Sequence, residues 1–141
     1  MQIKRKREEP DREIPWKKWR AAIYLREPAD EWDIPLNEPS IDQQRALCRC
    51  TASVLNAEIV GEFVDKWRTD PSRPGLRQVL DLTLQEPRLD YLIVSSLDRL
   101  VSCIDEAFEL AWWLGFASTV VIPANGEKGF PWTGTPPPDQ E

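Results

Sequence analysis

Residues 90–100 read Asp90-Tyr-Leu-Ile-Val-Ser-Ser-Leu-Asp-Arg-Leu100. Tyr91 to Val94 form an apolar run with no polar break, which stops at two serines. A run this short between polar residues predicts a strand buried on both faces, the kind found inside parallel sheets. Two more runs of the same kind, Ala21–Leu25 and Thr119–Ile122, and one interrupted by Glu62, Glu58–Val64, read as strands as well.

The segments between these strands carry helix signals. Ser40-x-x-Gln43 has the form of a capping box, in which hydroxyl and amide satisfy each other's backbone N–H groups. Leu47, Cys48, Thr51, Val54 and Leu55 follow it at helical spacing. Pro71 to Gly75 predict a turn. Pro74 suits a first helical turn, where its missing N–H costs nothing. Leu76, Val79, Leu80 and Leu84 then define an apolar face, and Pro87 ends that helix. Ile104, Ala107, Phe108, Ala111 and Trp112 give a third amphipathic helix, with Gly115 as its expected cap. Strands alternating with helices predict an α/β fold: a four-stranded, mainly parallel sheet with helices on both faces. Its crossovers should be right-handed.

Composition narrows the function classes. The chain has 141 residues, enough for one domain with a modest core. The reading divides it into a charged arm (1–19), the α/β domain (20–124) and a Gly/Pro-rich tail (125–141), expected to be disordered. Histidine is absent, which removes the commonest general base and the commonest zinc ligand. Cys48 and Cys50 would point to nearly opposite sides of a helix. Cys48 reads as a core residue, and no metal or cofactor is expected. Three cysteines, no apolar leader and no run of about 18–20 apolar residues predict a cytoplasmic protein with reduced thiols and no membrane contact.

Residues 1–20 carry eight Lys/Arg against four Asp/Glu, a net of +4, leaving −10 for the rest of a chain whose total is −6. An acidic body is a poor autonomous DNA binder, because duplex affinity rests on neutralising phosphates. Weak or no DNA binding is expected, with any residual affinity in Lys4–Arg7. Trp112 and Trp113 should lie on two faces of the last helix. One belongs to the core; the other is either a satellite of the core or a partner contact.

In parallel sheets the chemistry collects beyond the carboxyl ends of the strands. Arg26, Asp65, Lys66, Arg68, Ser95, Ser96, Asp98 and Arg99 fall there, and Arg73 opens the next helix nearby. Converging arginines suit a phosphate or another anion. The alternative is that Arg26, Asp65, Asp98 and Arg99 pair with one another, and the residues alone leave the two readings even.

Four segments, in order, resemble the catalytic domain of the serine recombinase (resolvase/invertase) family. They are Ala22-Ile-Tyr-Leu-Arg26, Ser40-Ile-Asp-Gln-Gln-Arg-Ala-Leu47, Phe63-Val-Asp-Lys66 with Arg73-Pro-Gly-Leu76, and the opening stretch through Leu-Asp-Arg-Leu100. The resemblance implies that the first strand is central, with the second and third on either side. It also implies a chemistry, in which a serine two positions after the first-strand arginine attacks a DNA phosphodiester while arginines hold the phosphate. Arg26 matches a phosphate-binding arginine. The serine position is Pro28, which has no hydroxyl, and Glu27 adds a negative charge beside it.

Other positions depart from the family as well. Thr69-Asp70 stands for its Ser-Gly, Trp32 for a glutamine, Ser102 for a third arginine, and a helix lysine falls near Leu82. Arg26, Gln44, Arg73, Asp98 and Arg99 remain, and Arg26, Arg73 and Arg99 are the expected anion-binding set. The degenerate site thus comprises Arg26, Pro28, Thr69, Arg73, Asp98, Arg99 and Ser102. The family's dimer-forming helix and its separate DNA-binding domain have no counterpart in the sequence. The expected function is a non-catalytic interaction or regulatory protein related to DNA recombination in mobile elements, docking on a protein partner: an intact recombinase or itself. The alternative is an active recombinase or nicking enzyme with a substitute nucleophile such as Thr69 or Ser96.

Overall fold

A computed structural model of the chain describes residues 19–27, 40–66, 72–101 and 103–129. The expectations placed on Pro28, Trp32, Arg68, Thr69, Asp70, Ser102, the arm before Trp19 and the tail from residue 130 lie outside the described residues. The elements are β1 (Trp19–Arg26), α1 (Ile41–Val54), β2 (Ala57–Asp65), α2 (Pro74–Thr83), β3 (Tyr91–Val94), a single turn α3 (Leu97–Leu100), α4 (Ile104–Ala117) and β4 (Val120–Pro123).

The four strands form one sheet in the order β2-β1-β3-β4, and every pairing is parallel. The first strand is central, as the resemblance implied. Along β1 successive side chains alternate between two cores. Ala21, Ile23 and Leu25 pack with Cys48, Ala52 and Ile93 under α1. Ala22 and Tyr24 pack with Leu76, Val79, Leu92, Leu110 and Leu114 under α2 and α4. A strand buried on both faces reads as an unbroken apolar run for this reason. Val60 is an extra residue in β2, where the register with β1 shifts.

The capping box that opens α1 is present: Gln43 N donates to Ser40 Oγ (3.1 Å), and Ser40 N donates to Gln43 Oε1 (2.8 Å). Three details differ from the sequence reading. In α1 the buried residues are Gln44, Cys48 and Ala52, while Leu47 and Val54 are exposed. Cys48 and Ala52 are small enough for the close approach to the sheet, and Gln44 is buried because its amide pairs with the backbone of Arg26, so the i, i+4, i+8 set wins over the larger apolar residues beside it. In α2, Leu84 falls one residue past the helix and is exposed. The last helix continues past Gly115 to Ala117 and is capped by Ser118 in the left-handed conformation (φ 62°). Its buried residues are Leu110 and Leu114, whereas Ile104, Phe108 and Trp112 face solvent. No helix among the described residues is long and apolar enough to cross a membrane.

Candidate functional site at the carboxyl rim of the sheet

The rim is organised around Asp65, the last residue of β2, which is 2% exposed. Its carboxylate accepts from Gly75 N (2.6 Å), Leu76 N (3.0 Å) and the Tyr24 hydroxyl (2.7 Å). The first backbone N–H groups of α2 have no partner within their own helix. Arg73, at the N-cap position, offers no side-chain cap. Asp65 takes over that role from the neighbouring strand and places a negative charge at the positive end of the helix. The contact leaves no room for a side chain at position 75, where a Cβ would lie 2.9 Å from Asp65 Oδ1 and 3.1 Å from Val64 O.

Arg73 adopts a left-handed backbone conformation (φ 52°, ψ 64°), which costs a non-glycine residue on the order of 1 kcal/mol. That conformation accompanies a guanidinium turned into the protein. Its Nε and Nη2 donate to the Tyr24 hydroxyl at 3.3 and 3.0 Å. Nη1 pairs with Glu106 of α4 at 3.0 Å. Nη2 also reaches the carbonyls of Leu100 (2.6 Å) and Arg99 (3.5 Å). The group lies 5.5 Å from the Tyr24 ring centroid. One buried arginine therefore ties β1, α3 and α4 together, while Tyr24 links it to Asp65.

Tyr24 sits between a carboxylate and a guanidinium, with its hydroxyl donating to the first and accepting from the second. Burial, reinforced by the hydrogen bond to Asp65, pushes its phenol up to about 12. Arg26, half-buried at the end of β1, is held through its backbone: Gln44 Nε2 donates to Arg26 O (3.0 Å) and Arg26 N donates to Gln44 Oε1 (3.3 Å). Burial, and next the positive charge of Arg73, lower the pKa of Arg26.

The structure thus brings Arg26 and Arg73 into one electrostatic neighbourhood and sets Arg73 against the backbone of Arg99. The Arg99 side chain is buried. Asp98, which the alternative reading of the rim paired with the arginines, is exposed and accepts a hydrogen bond from the Ser96 hydroxyl two residues earlier. Two members of the network escaped the sequence reading. Tyr24 was read as strand core, yet a tyrosine in the run Ala21–Leu25 needs a partner for its hydroxyl. Glu106 sits in the first turn of a helix, where acidic residues are common for a local reason.

The model of the resolvase N-terminal domain matches residues 21–137. The chain belongs to the resolvase family. Three solved structures share the fold of this resolvase-family domain. The N-terminal catalytic domain of TP901-1 integrase aligns with a TM-score of 0.64 at 18% identity, over 78% of this chain and 81% of the other. A resolvase family site-specific recombinase from Streptococcus pneumoniae aligns at 0.67 and 16%, over 79% and 76%. The C-terminal catalytic domain of ISC1926 TnpA, an IS607-like serine recombinase, aligns at 0.60 and 18%, over 77% and 69%. No curated protein sequence matches the chain.

Proposed function

We propose that this resolvase-family domain does not cleave DNA and acts as an interaction or regulatory protein related to DNA recombination, with an intact recombinase or a second copy of itself as its protein partner. The observation that carries the reading is Pro28, two residues after the first-strand arginine, where the family resemblance places the attacking serine. Removing a nucleophile costs several orders of magnitude in rate. Ser102 in place of an arginine removes a second group. The internal bonds of Arg73 support the same reading, since its three nitrogens already serve Tyr24, Glu106 and Leu100.

A second reading has one observation on its side. The Ser96 hydroxyl donates to the Asp98 carboxylate, an acceptor able to take its proton. The two readings separate when the protein is incubated with suicide substrates carrying nicked recombination sites and run on a denaturing gel. No DNA-linked species is expected, from the natural chain or from Pro28→Ser. A shifted band that vanishes in Ser96→Ala or Thr69→Ala establishes an enzyme with a substitute nucleophile. Weak, salt-sensitive duplex binding is expected alongside.

A further inference from the structure

The outward side of α4 is apolar along its whole length. Ile104, Phe108, Trp112 and Phe116 recur every fourth residue, and each is between 67% and 77% exposed. The Trp112 and Phe116 rings stack at 6.0 Å and 7°. Trp113 points the other way, and its indole N–H donates to Thr83 Oγ1 of α2 (3.1 Å). Beside the stripe, between α4 and α2, runs a groove of about 620 Å³ lined by Leu76, Leu80, Phe108, Trp112 and Trp113. A large side chain carries about 150–250 Å², so the stripe exposes on the order of 500 Å². Contiguous patches of that size on a monomer mark binding surfaces.

Charge and chain position identify the occupant. The ionisable residues of α4 are Asp105, Glu106 and Glu109, all acidic. Glu106 is engaged by Arg73, and Asp105 and Glu109 flank the stripe. On α2, exposed Arg77 is offset by exposed Asp81. The face therefore selects a segment that is apolar and basic. The carboxyl-terminal stretch 130–141 has Phe130 and Trp132, but its ionisable residues are Asp139 and Glu141. The amino-terminal stretch 1–18 has Ile14 and Trp16, and seven Lys/Arg against four Asp/Glu.

The arm also starts in the right place. Asp90 N donates to Arg20 O, and Val120 N donates to Asp90 O, so the beginnings of β1 and β4 are level. Ser118 and Thr119 alone separate β4 from the end of α4. The arm therefore enters β1 at the end of the sheet where Phe116 and Trp112 lie. Two strand spacings and one helix layer amount to roughly 15 Å, which about five extended residues span. The stripe itself is about 18 Å long. Eighteen residues can reach up to roughly 60 Å, so its far end is accessible as well.

We propose that the exposed face of α4 is the docking site of this chain's own amino-terminal arm, with Trp16 and Ile14 on Phe116 and Trp112 and with Lys4–Arg7 beside Asp105 and Glu109. Counted outward from β1, the arm places Trp16 and Ile14 first, then Glu13, Asp11, Glu9 and Glu8 with Arg12 among them, and the basic run Lys4–Arg7 last, as α4 places Phe116 and Trp112 before Glu109 and Asp105. The tether makes the contact intramolecular, so modest attraction suffices to hold it. Docking withdraws the arm from nucleic acid and covers the stacked Trp112 and Phe116 rings, the largest exposed aromatic group among the described residues, so a partner seeking either must displace the contact. The proposal stands whether or not the protein cleaves DNA.

Zero-length carbodiimide cross-linking of the full chain tests it, with peptides from the monomer and dimer bands identified separately by mass spectrometry. Lys4 or Lys6 should join Asp105 or Glu109. The yield should fall at 1 M salt, where the Debye length is about 3 Å. It should also fall about tenfold in Trp112→Ala, since losing one anchoring aromatic removes much of such a contact. Trp16→Ala, which changes a residue before β1, should reproduce that loss and guards against a folding defect in Trp112→Ala. Mixing isotopically light and heavy chains distinguishes the arm's own face from that of a second copy. Cross-links found only in mixed pairs overturn the proposal in favour of exchange between copies. Unchanged yield in both variants, or the absence of arm-to-α4 products, overturns it outright.

Discussion

Replacing Asp65 by asparagine changes almost nothing in shape and removes one acceptor. The carboxylate accepts three bonds, two at Oδ2 (Tyr24 and Leu76) and one at Oδ1 (Gly75). Asparagine keeps only one oxygen. Its lower-energy orientation leaves that oxygen with Tyr24 and Leu76 and turns the amide NH2 toward Gly75 N, donor against donor. Hydrogen bonds to a charged group contribute about 1.5–3 kcal/mol, and a buried donor left unmade costs about 1–3 kcal/mol. The remaining two bonds also lose their charge assistance, and α2 loses the anion at its amino terminus. A destabilisation of about 3–5 kcal/mol follows, a large share of the 5–15 kcal/mol typical of a domain. Urea unfolding followed by circular dichroism measures it, provided the slope with denaturant is unchanged. Tyr24→Phe should cost about 1–2 kcal/mol, because it also strips Arg73 of an acceptor. The double variant should lose less than the sum of the two, since both act on one network. An Asp65→Asn protein within about 1 kcal/mol of the natural chain, or strictly additive losses, would refute the claim that Asp65 organises this rim.

Three further outcomes follow from the same structure. The Tyr24 phenol titrates at about 12 in the folded protein and at about 10 when unfolded, so its contribution is complete below pH 10 and is lost as pH rises toward 12; the stability gap between the natural chain and Tyr24→Phe should shrink across that window in urea titrations at pH 9 and 11.5. Burial, and then the Glu62 charge, push the Cys48 thiol up to about 12, whereas Cys50 and Cys103 are exposed; a thiol reagent at pH 8 should modify two cysteines quickly and the third only on unfolding. Ser118→Gly should stabilise the domain by about 0.5–1 kcal/mol, seen as a raised thermal midpoint, because Ser118 holds a left-handed conformation (φ 62°) that glycine adopts freely.

Much of this molecule is legible because its signals are local. The apolar runs Ala21–Leu25 and Tyr91–Val94 specify buried strands by themselves, and the box from Ser40 to Gln43 closes within one turn of helix. Alternation of such elements leaves few topologies open, and the all-parallel sheet is one of them. The arginines at the strand ends could likewise be placed on the rim from strand boundaries alone. Their bonding could not. Arg73 meets Tyr24, Leu100 and Glu106 across separations of 27 to 49 residues, and no periodicity encodes a contact between a strand, a turn and a helix that only the crossovers bring together. The last helix shows the same limit in another form. Its sequence from Ala107 to Ala117 is apolar nearly all round, so spacing admits more than one inward face. The sheet settles the matter by burying Leu110 and Leu114, which join the core formed by Leu92, Val94 and Val121, and by leaving Phe108, Trp112 and Phe116 outside.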